Sequence, residues 1–197
     1  MKKFGGMTDE ELALLYIGGN NSAFDELLSR NQDKLFNYIM FVVRDPELAN
    51  DIFQDTFVKV ITRLQEGRYA VTGKFSFWIT RIAHNVIMDW YRQQRGERMV
   101  DLGEERDLVS LHAAASGGRE MEMVNEQVLF DVRRMMDSLP TPQREVVFMR
   151  FYQELSFKEI AEITGVSINT ALGRMRYAII NLRRMAREHN IALSLAV

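Results

Sequence analysis

The chain has 197 residues, 47% hydrophobic and 26% charged, a globular composition that excludes disorder over the full length. It contains no cysteine, which excludes disulfide frameworks, thiolate metal sites and cysteine nucleophiles. No uncharged stretch approaches the roughly 18 apolar residues of a membrane span, and no apolar core with a cleavage site follows Lys2 and Lys3. The expectation is a cytoplasmic chain with no signal peptide and no membrane insertion.

The net charge of −2 hides a segregation. Residues 67–98 carry +4 and residues 138–197 carry +3, whereas residues 99–137 between them carry −5. Two basic blocks flanking an acidic one suit a polyanion that engages both blocks and leaves the acidic segment elsewhere.

Taken in chain order, the periodic segments read as helices, and none shows sustained alternation of strand type; the fold class expected is all-α. Thr8 and Glu11 form a possible capping box, with Met7 and Leu12 spaced for a hydrophobic staple. This N-terminal extension, residues 1–21, has no role that its residues suggest. A helix is expected over Ala23–Val43. Asp45-Pro46 then reads as an N-cap followed by a first helical residue, opening a helix over Pro46–Leu64. Ala49, Ile52, Phe53, Thr56, Val60 and Leu64 trace its apolar face. Gln65–Lys74, with Gly67 and Gly73, reads as a loop. In the next helix, Phe75–Gln94, the face is Ile79, Ile82, Ala83, Val86, Ile87 and Trp90. Three such faces close a helical core.

In the stretch Lys74 to Arg98, Phe75, Phe77, Trp78, Trp90 and Tyr91 interleave with Arg81, Arg92, Arg95 and Arg98. Aromatic faces with cations suit unstacked bases, but Trp78 and Trp90 read equally as core. Asn85, Asp89 and Arg92 share one helix face; by spacing alone they form either a base- and phosphate-reading set or a solvated stripe. Gly96–Glu120 lacks periodicity and holds Glu104-Glu105, Asp107 and Ala113–Gly118, so a flexible acidic linker is expected over about 99–122. A second helical domain follows over 123–190, and 191–197 is a tail. Thr141-Pro142 reads as another N-cap pair.

Ser156 to Arg176 reads SFKEIAEITGVSINTALGRMR, a helix-turn-helix pattern. Ala161 is small where two helices approach, Gly165 suits a left-handed turn, and Ser167 caps the second helix. Ile168, Asn169 and Thr170 would be exposed at its start, with Arg174, Arg176 and Tyr177 beyond. An ordinary helical hairpin fits the Ala-x-x-x-Gly spacing as well. However, residues 164–187 contain five arginines and no acidic residue, and a helix of one sign after such a turn suits a phosphate-facing element.

These blocks, in this order, resemble the sigma-70 family of bacterial initiation factors, in the small extracytoplasmic-function (ECF) type that keeps only regions two and four. DPELANDIFQDTFVKV resembles the segment that grips the polymerase clamp, FSFWITRIAHNVIMDWYR the promoter-melting segment, and LPTPQREVVFMRFYQELSFKEIAEITGVSINTALGRMRYAIINLRR the −35-reading region. The resemblance implies a region-two domain over 22–98 and a region-four domain over 123–190. It assigns Asp51, Gln54 and Asp55 to core polymerase binding. Lys74, Asn85, Asp89, Arg92 and Arg95 fall to the −10 strand, and the loop Gln65–Lys74 to capture of a flipped base. Ser167, Ile168, Asn169, Thr170, Arg174, Arg176 and Tyr177 fall to the −35 duplex. The implied partners are core RNA polymerase (the clamp of the beta-prime subunit and the flap of the beta subunit), promoter DNA and an anti-sigma factor. No cofactor is implied. Leu172 and Gly173 stand where relatives often carry Lys and Ser.

The function implied is promoter-specific initiation without bond chemistry. The alternative is a stand-alone helix-turn-helix regulator, which leaves the Phe75–Arg98 constellation without an explanation. An enzyme lacks support: His84, His112 and His189 show no metal-ligand spacing, and no phosphate-cradling glycine motif is present. His84 reads as structural, beside the Ile82-Ala83 core face.

Overall fold

The computed structural model describes residues 4–70, 73–101 and 134–188, with residues 95–101 as backbone only. The described residues form helices and no strands. In the N-terminal half these are α1 (Asp9–Ile17), α2 (Asn21–Val43), α3 (Pro46–Gln65) and α4 (Phe75–Asp101). In the C-terminal half they are α5 (Thr141–Phe151), α6 (Phe157–Thr164) and α7 (Ile168–Glu188).

The apolar faces read from spacing are the ones that pack. Ala49, Ile52, Thr56, Val60 and Leu64 of α3 are buried, as are Ile79, Ile82, Ala83, Val86 and Ile87 of α4. They close on Leu27, Leu35, Ile39 and Val42 of α2. Each buried Leu, Ile and Val side chain among them gains about 1.5–3 kcal/mol from leaving water, so this layer dominates the stability of the half. Phe53 and Trp90 lie at its margin, half-buried. Asp45 caps α3 by accepting the N–H groups of Glu47 and Leu48 at 2.9 and 3.0 Å.

The N-terminal extension folds into this core. Leu12 and Ala13 of α1 are fully buried, and Thr8 and Glu11 form the expected capping box. Arg30 of α2 holds the segment from below, donating to the carbonyls of Phe4 and Met7 at 2.8 and 2.6 Å and to Glu26 at 2.8 Å. Glu10 reaches across to accept the backbone N–H of Phe75 at 2.9 Å, one of the donors that a helix leaves unpaired at its N-terminus. α1 thereby fixes the start of α4.

Two boundaries differ from the sequence expectation. α4 runs through Gly96 to Asp101, beyond the expected linker start at 99. A glycine inside a helix costs only about 1 kcal/mol, which one long cooperative helix absorbs. Thr141 is not the N-cap of α5 but its first residue; Pro140 holds the cap position and Pro142 lies in the first turn. The Thr141 hydroxyl instead accepts from the Arg144 guanidinium at 3.4 Å. Residues 102–122 of the expected linker, the C-terminal tail and His112 and His189 lie outside the described residues.

In the C-terminal half, Ser156 and Glu159 form a capping box at the start of α6. Gly165 ends that helix in the left-handed region (φ 66°), and Ile160, Ala161 and Ile163 are buried against Ala171, Met175 and Ala178 of α7. A Cβ at Gly165 would meet open space, so only the backbone opposes substitution there. Gly165→Ala is expected to lower unfolding free energy by about 1–2 kcal/mol in chemical denaturation. Asn, which tolerates this conformation, should recover part of the loss.

The two halves pack on each other, α2 against α5 and α4 against α6. At the centre of that interface Tyr38 of α2 and His84 of α4 both address Glu145 of α5. The Tyr38 hydroxyl donates to Glu145 Oε1, and His84 Nδ1 lies 2.6 Å from the same oxygen. Tyr38 is fully buried, and the side chains of His84 and Glu145 are 7% and 3% exposed. His84 is thus the structural histidine expected, but its partner comes from the other half. Burial and the Glu145 carboxylate together push the Tyr38 hydroxyl well above its ordinary pKa, so it remains a donor. Next to this cluster, buried Arg144 donates to the carbonyl of Val42 at 2.8 Å and to that of Asp137 at 3.2 Å.

Candidate nucleic-acid interface

The second helix of the helix-turn-helix presents its predicted residues outward. Ile168, Asn169, Thr170, Arg176 and Tyr177 are exposed, and Arg174 is half-exposed. Ser167 is occupied in capping: its hydroxyl accepts the Thr170 N–H at 3.0 Å and lies 2.9 Å from the Thr170 hydroxyl. The exposed face also carries Leu172, Ile179 and Ile180 among its arginines. Among the described residues Arg174, Arg176, Arg183 and Arg187 of this helix enter no ion pair, while Arg184 lies 4.0 Å from Glu188. An array of arginines with so few carboxylates produces a positive field suited to a phosphate backbone, and the apolar side chains between suit thymine methyl groups.

Asn85, Asp89 and Arg92 stand on the exposed face of α4. Arg92 donates to Asp89, whose other oxygen lies 3.9 Å from Lys59 of α3. Asp51 and Asp55 of α3 line the same shallow groove as Asp89, with Trp90 and Gln93 on its α4 side. The structure therefore brings together residues expected to serve two different partners. Gln54 is exposed on α3 beside Asp51 and Asp55 but does not line that groove. Arg95 lies in α4, with its side chain outside the described residues. Among the described residues no group of His, Asp and Glu is arranged to hold a metal ion.

The loop between α3 and α4 is anchored from inside. Tyr69 is buried, its ring 4.8 Å from that of Trp78 and 5.5 Å from that of Phe75. Its hydroxyl donates to Glu10 at 3.5 Å, and burial together with that carboxylate pushes its pKa up to about 12. Trp78 therefore serves this aromatic cluster with one part of its ring system while remaining half-exposed.

Lys74 and Arg81, at the start of α4, face the C-terminal half. Lys74 donates to Glu159 of α6, and Arg81 lies 3.6 Å from Glu162 of the same helix. Between them Gln153 donates to the Thr80 hydroxyl at 3.3 Å. The Lys74 ammonium, with the hydroxyl and N–H of Ser156, holds the Glu159 carboxyl down at about 2. Glu159 is thus a carboxylate throughout the neutral range, and its stabilising contribution, present above the ordinary carboxyl pKa, fades only as pH falls toward 2.

Sequence reasoning did not find Tyr38, Glu145, Arg144 or Glu10. Only Glu145 left a local trace, as a carboxylate directly before the apolar run Val146–Met149. The other contacts join residues far apart in the chain, and spacing on one helix carries no information about them.

Two family models match the chain: Sigma-70 region 2 over residues 27–97, and Sigma-70, region 4 over residues 129–172. The chain is 28% identical over 174 residues to RNA polymerase sigma factor YlaC of Bacillus subtilis, covering 86% of this chain and 96% of that protein. It is 25% identical to ECF RNA polymerase sigma factor SigW of the same organism, over 86% of this chain and 92% of SigW. In fold it is similar to the sigma factor RpoE of Bartonella quintana, solved with the anti-sigma factor NepR (TM-score 0.64, 20% identity, 83% and 96% of the two chains). CnrH, solved with the cytosolic domain of CnrY, gives a TM-score of 0.61 at 24% identity over 91% and 97% of the two chains. Among the described residues no helix is long and apolar enough to cross a membrane. Both region models, in the order of the two packed halves, and relatives spanning nearly their whole length, place the chain in the sigma-70 family as an ECF-type, promoter-directing sigma factor of RNA polymerase.

Proposed function

We propose that the two halves divide the work of initiation by surface. The exposed side of α3, through Asp51, Gln54 and Asp55, docks on the clamp of the beta-prime subunit. The exposed side of α4, through Asn85, Asp89, Arg92 and Arg95 with Lys74 at its start, holds the −10 strand. The loop Gln65–Lys74 receives a base swung out of the duplex. The face of α7 bearing Ile168 to Tyr177 enters the −35 major groove, and the C-terminal half rests on the beta flap. The protein performs no bond chemistry itself and works in the cytoplasm, at the nucleoid when bound to polymerase.

The observation that carries this reading is the contrast between the helices. α7 exposes arginines with a single facing carboxylate, whereas α3 exposes carboxylates and amides off its buried face. A nucleic-acid face and a protein-docking face are thus separated by charge. The solved neighbours RpoE and CnrH were each captured with a second protein, one of them titled an anti-sigma factor, and we extend a partner of that kind to this chain.

The test is run-off transcription with purified core polymerase on a promoter library. Asp51→Ala, Gln54→Ala and Asp55→Ala combined should cut product by about tenfold or more, a loss of about 1.4 kcal/mol or more in docking. All three side chains are exposed, so helicity and melting temperature should hold. Undiminished transcription by the triple variant would remove α3 from the docking surface.

A further inference from the structure

We propose that Ile168 and Leu172 are specificity residues of α7: each takes the C5-methyl group of one thymine of the −35 duplex into apolar contact. This role rests on the reading of α7 as the −35 face and gives that face its base preference.

α7 divides its apolar side chains into two sets. Ala171, Met175 and Ala178 are buried and complete the core of this half. Ile168 and Leu172 stand outside that core, 46% and 43% exposed. They are four residues apart, hence neighbours on one face of the first turns of the helix. Their separation along the axis is about 6 Å, roughly two base steps of the duplex. Arg176, one turn further along this face, is exposed, and residues 164–187 hold no carboxylate. An apolar pair framed by cations is complementary to the major groove, which is edged by phosphates and offers the thymine methyl as an apolar group on its floor. Gly173 follows Leu172 directly, and a Cβ there would meet nothing within 4 Å. A glycine within a helix costs about 1 kcal/mol, and packing inside the chain does not require this one. Its missing side chain leaves Leu172 standing clear of its neighbour, where a duplex can close on it.

The probe is promoter DNA selected from a randomised library by polymerase holoenzyme carrying the full chain. Each thymine of the selected −35 element, on either strand, is replaced in turn by 2′-deoxyuridine, which keeps the Watson–Crick edge and loses only the methyl. Holoenzyme affinity should fall about three- to fivefold at two of these thymines, the contribution of one buried methyl apiece, and hold at the others. Leu172→Ala should bind thymine and deoxyuridine alike at one of the two positions, and Ile168→Ala at the other. Both side chains are exposed and alanine favours helix, so α7 should stay folded. Neither substitution removes a charge, so the slope of log affinity against log salt should not move, which separates methyl contact from lost phosphate contact. Equal affinity for thymine and deoxyuridine duplexes throughout would overturn the proposal. So would methyl sensitivity that survives both substitutions, or a selected element without thymine. Alanine variants that keep full affinity would overturn it too, and give the apolar pair to a protein partner. Failure of the −35 reading shows separately, as holoenzyme binding unmoved when the whole −35 element is scrambled.

Discussion

Replacing His84 with alanine should weaken the closure between the two halves by roughly 3 kcal/mol, the cost of leaving a buried carboxylate oxygen short of a hydrogen-bond donor. Glu145 is 3% exposed, and its Oε1 takes both the Tyr38 hydroxyl and His84 Nδ1. Without the imidazole, one oxygen of a desolvated carboxylate keeps a single neutral donor. The alternative open to the chain is to separate the halves, which returns the carboxylate to water. The variant is therefore expected to open rather than unfold: the radius of gyration in small-angle scattering should rise, while helicity stays near that of the unaltered chain. Tyr38→Phe should act in the same direction with a smaller effect, about 1–3 kcal/mol, because one charge-assisted hydrogen bond is lost and His84 remains. The combination Tyr38→Phe, His84→Leu and Glu145→Leu should restore closure, since a polar cluster replaced whole by apolar side chains leaves nothing unpaired. An unchanged radius of gyration for His84→Ala would show that the cluster does not hold the halves together.

The second large effect is expected on α7. Arg174→Ala with Arg176→Ala should lower affinity for −35 duplex and reduce the slope of log affinity against log salt by about one unit per arginine that meets a phosphate. Arg176 is exposed and Arg174 half-exposed, so the double variant should melt as the unaltered chain does. The salt series also separates two roles. A loss that is uniform across duplex sequences marks phosphate contacts, and a loss confined to one sequence, of about 1–3 kcal/mol, marks a base edge. A slope unmoved by both substitutions would take these arginines out of the interface.

Much of the architecture was legible because it is written locally. The apolar spacing of α3 and α4 chose the buried faces, Asp45-Pro46 marked a helix start, and Gly165 marked the end of α6. Each of those signals acts within a few residues, where backbone sterics and helix-end hydrogen bonding decide the outcome. The run of arginines on α7 was legible for the same reason. What the sequence hid is what two distant segments do together. Tyr38, His84 and Glu145 are separated by 46 and 61 residues, and each alone is an ordinary helical residue. Glu10 reads as part of a helix's first acidic turn, yet it also closes the start of α4, 65 residues on. The stretch after Gln94 misled because apolar periodicity fades there, whereas a long helix already under way runs on through Gly96 at modest cost.

Glu159 divides its two oxygens between tasks: Oε2 holds the backbone and hydroxyl of Ser156, and Oε1 holds Lys74. Undocking α6 from its neighbour thus frees one oxygen and leaves the other at its post. The helix-turn-helix can swing away as a rigid unit without fraying at the very end that was gripped, and it arrives elsewhere already shaped, owing no refolding before it engages.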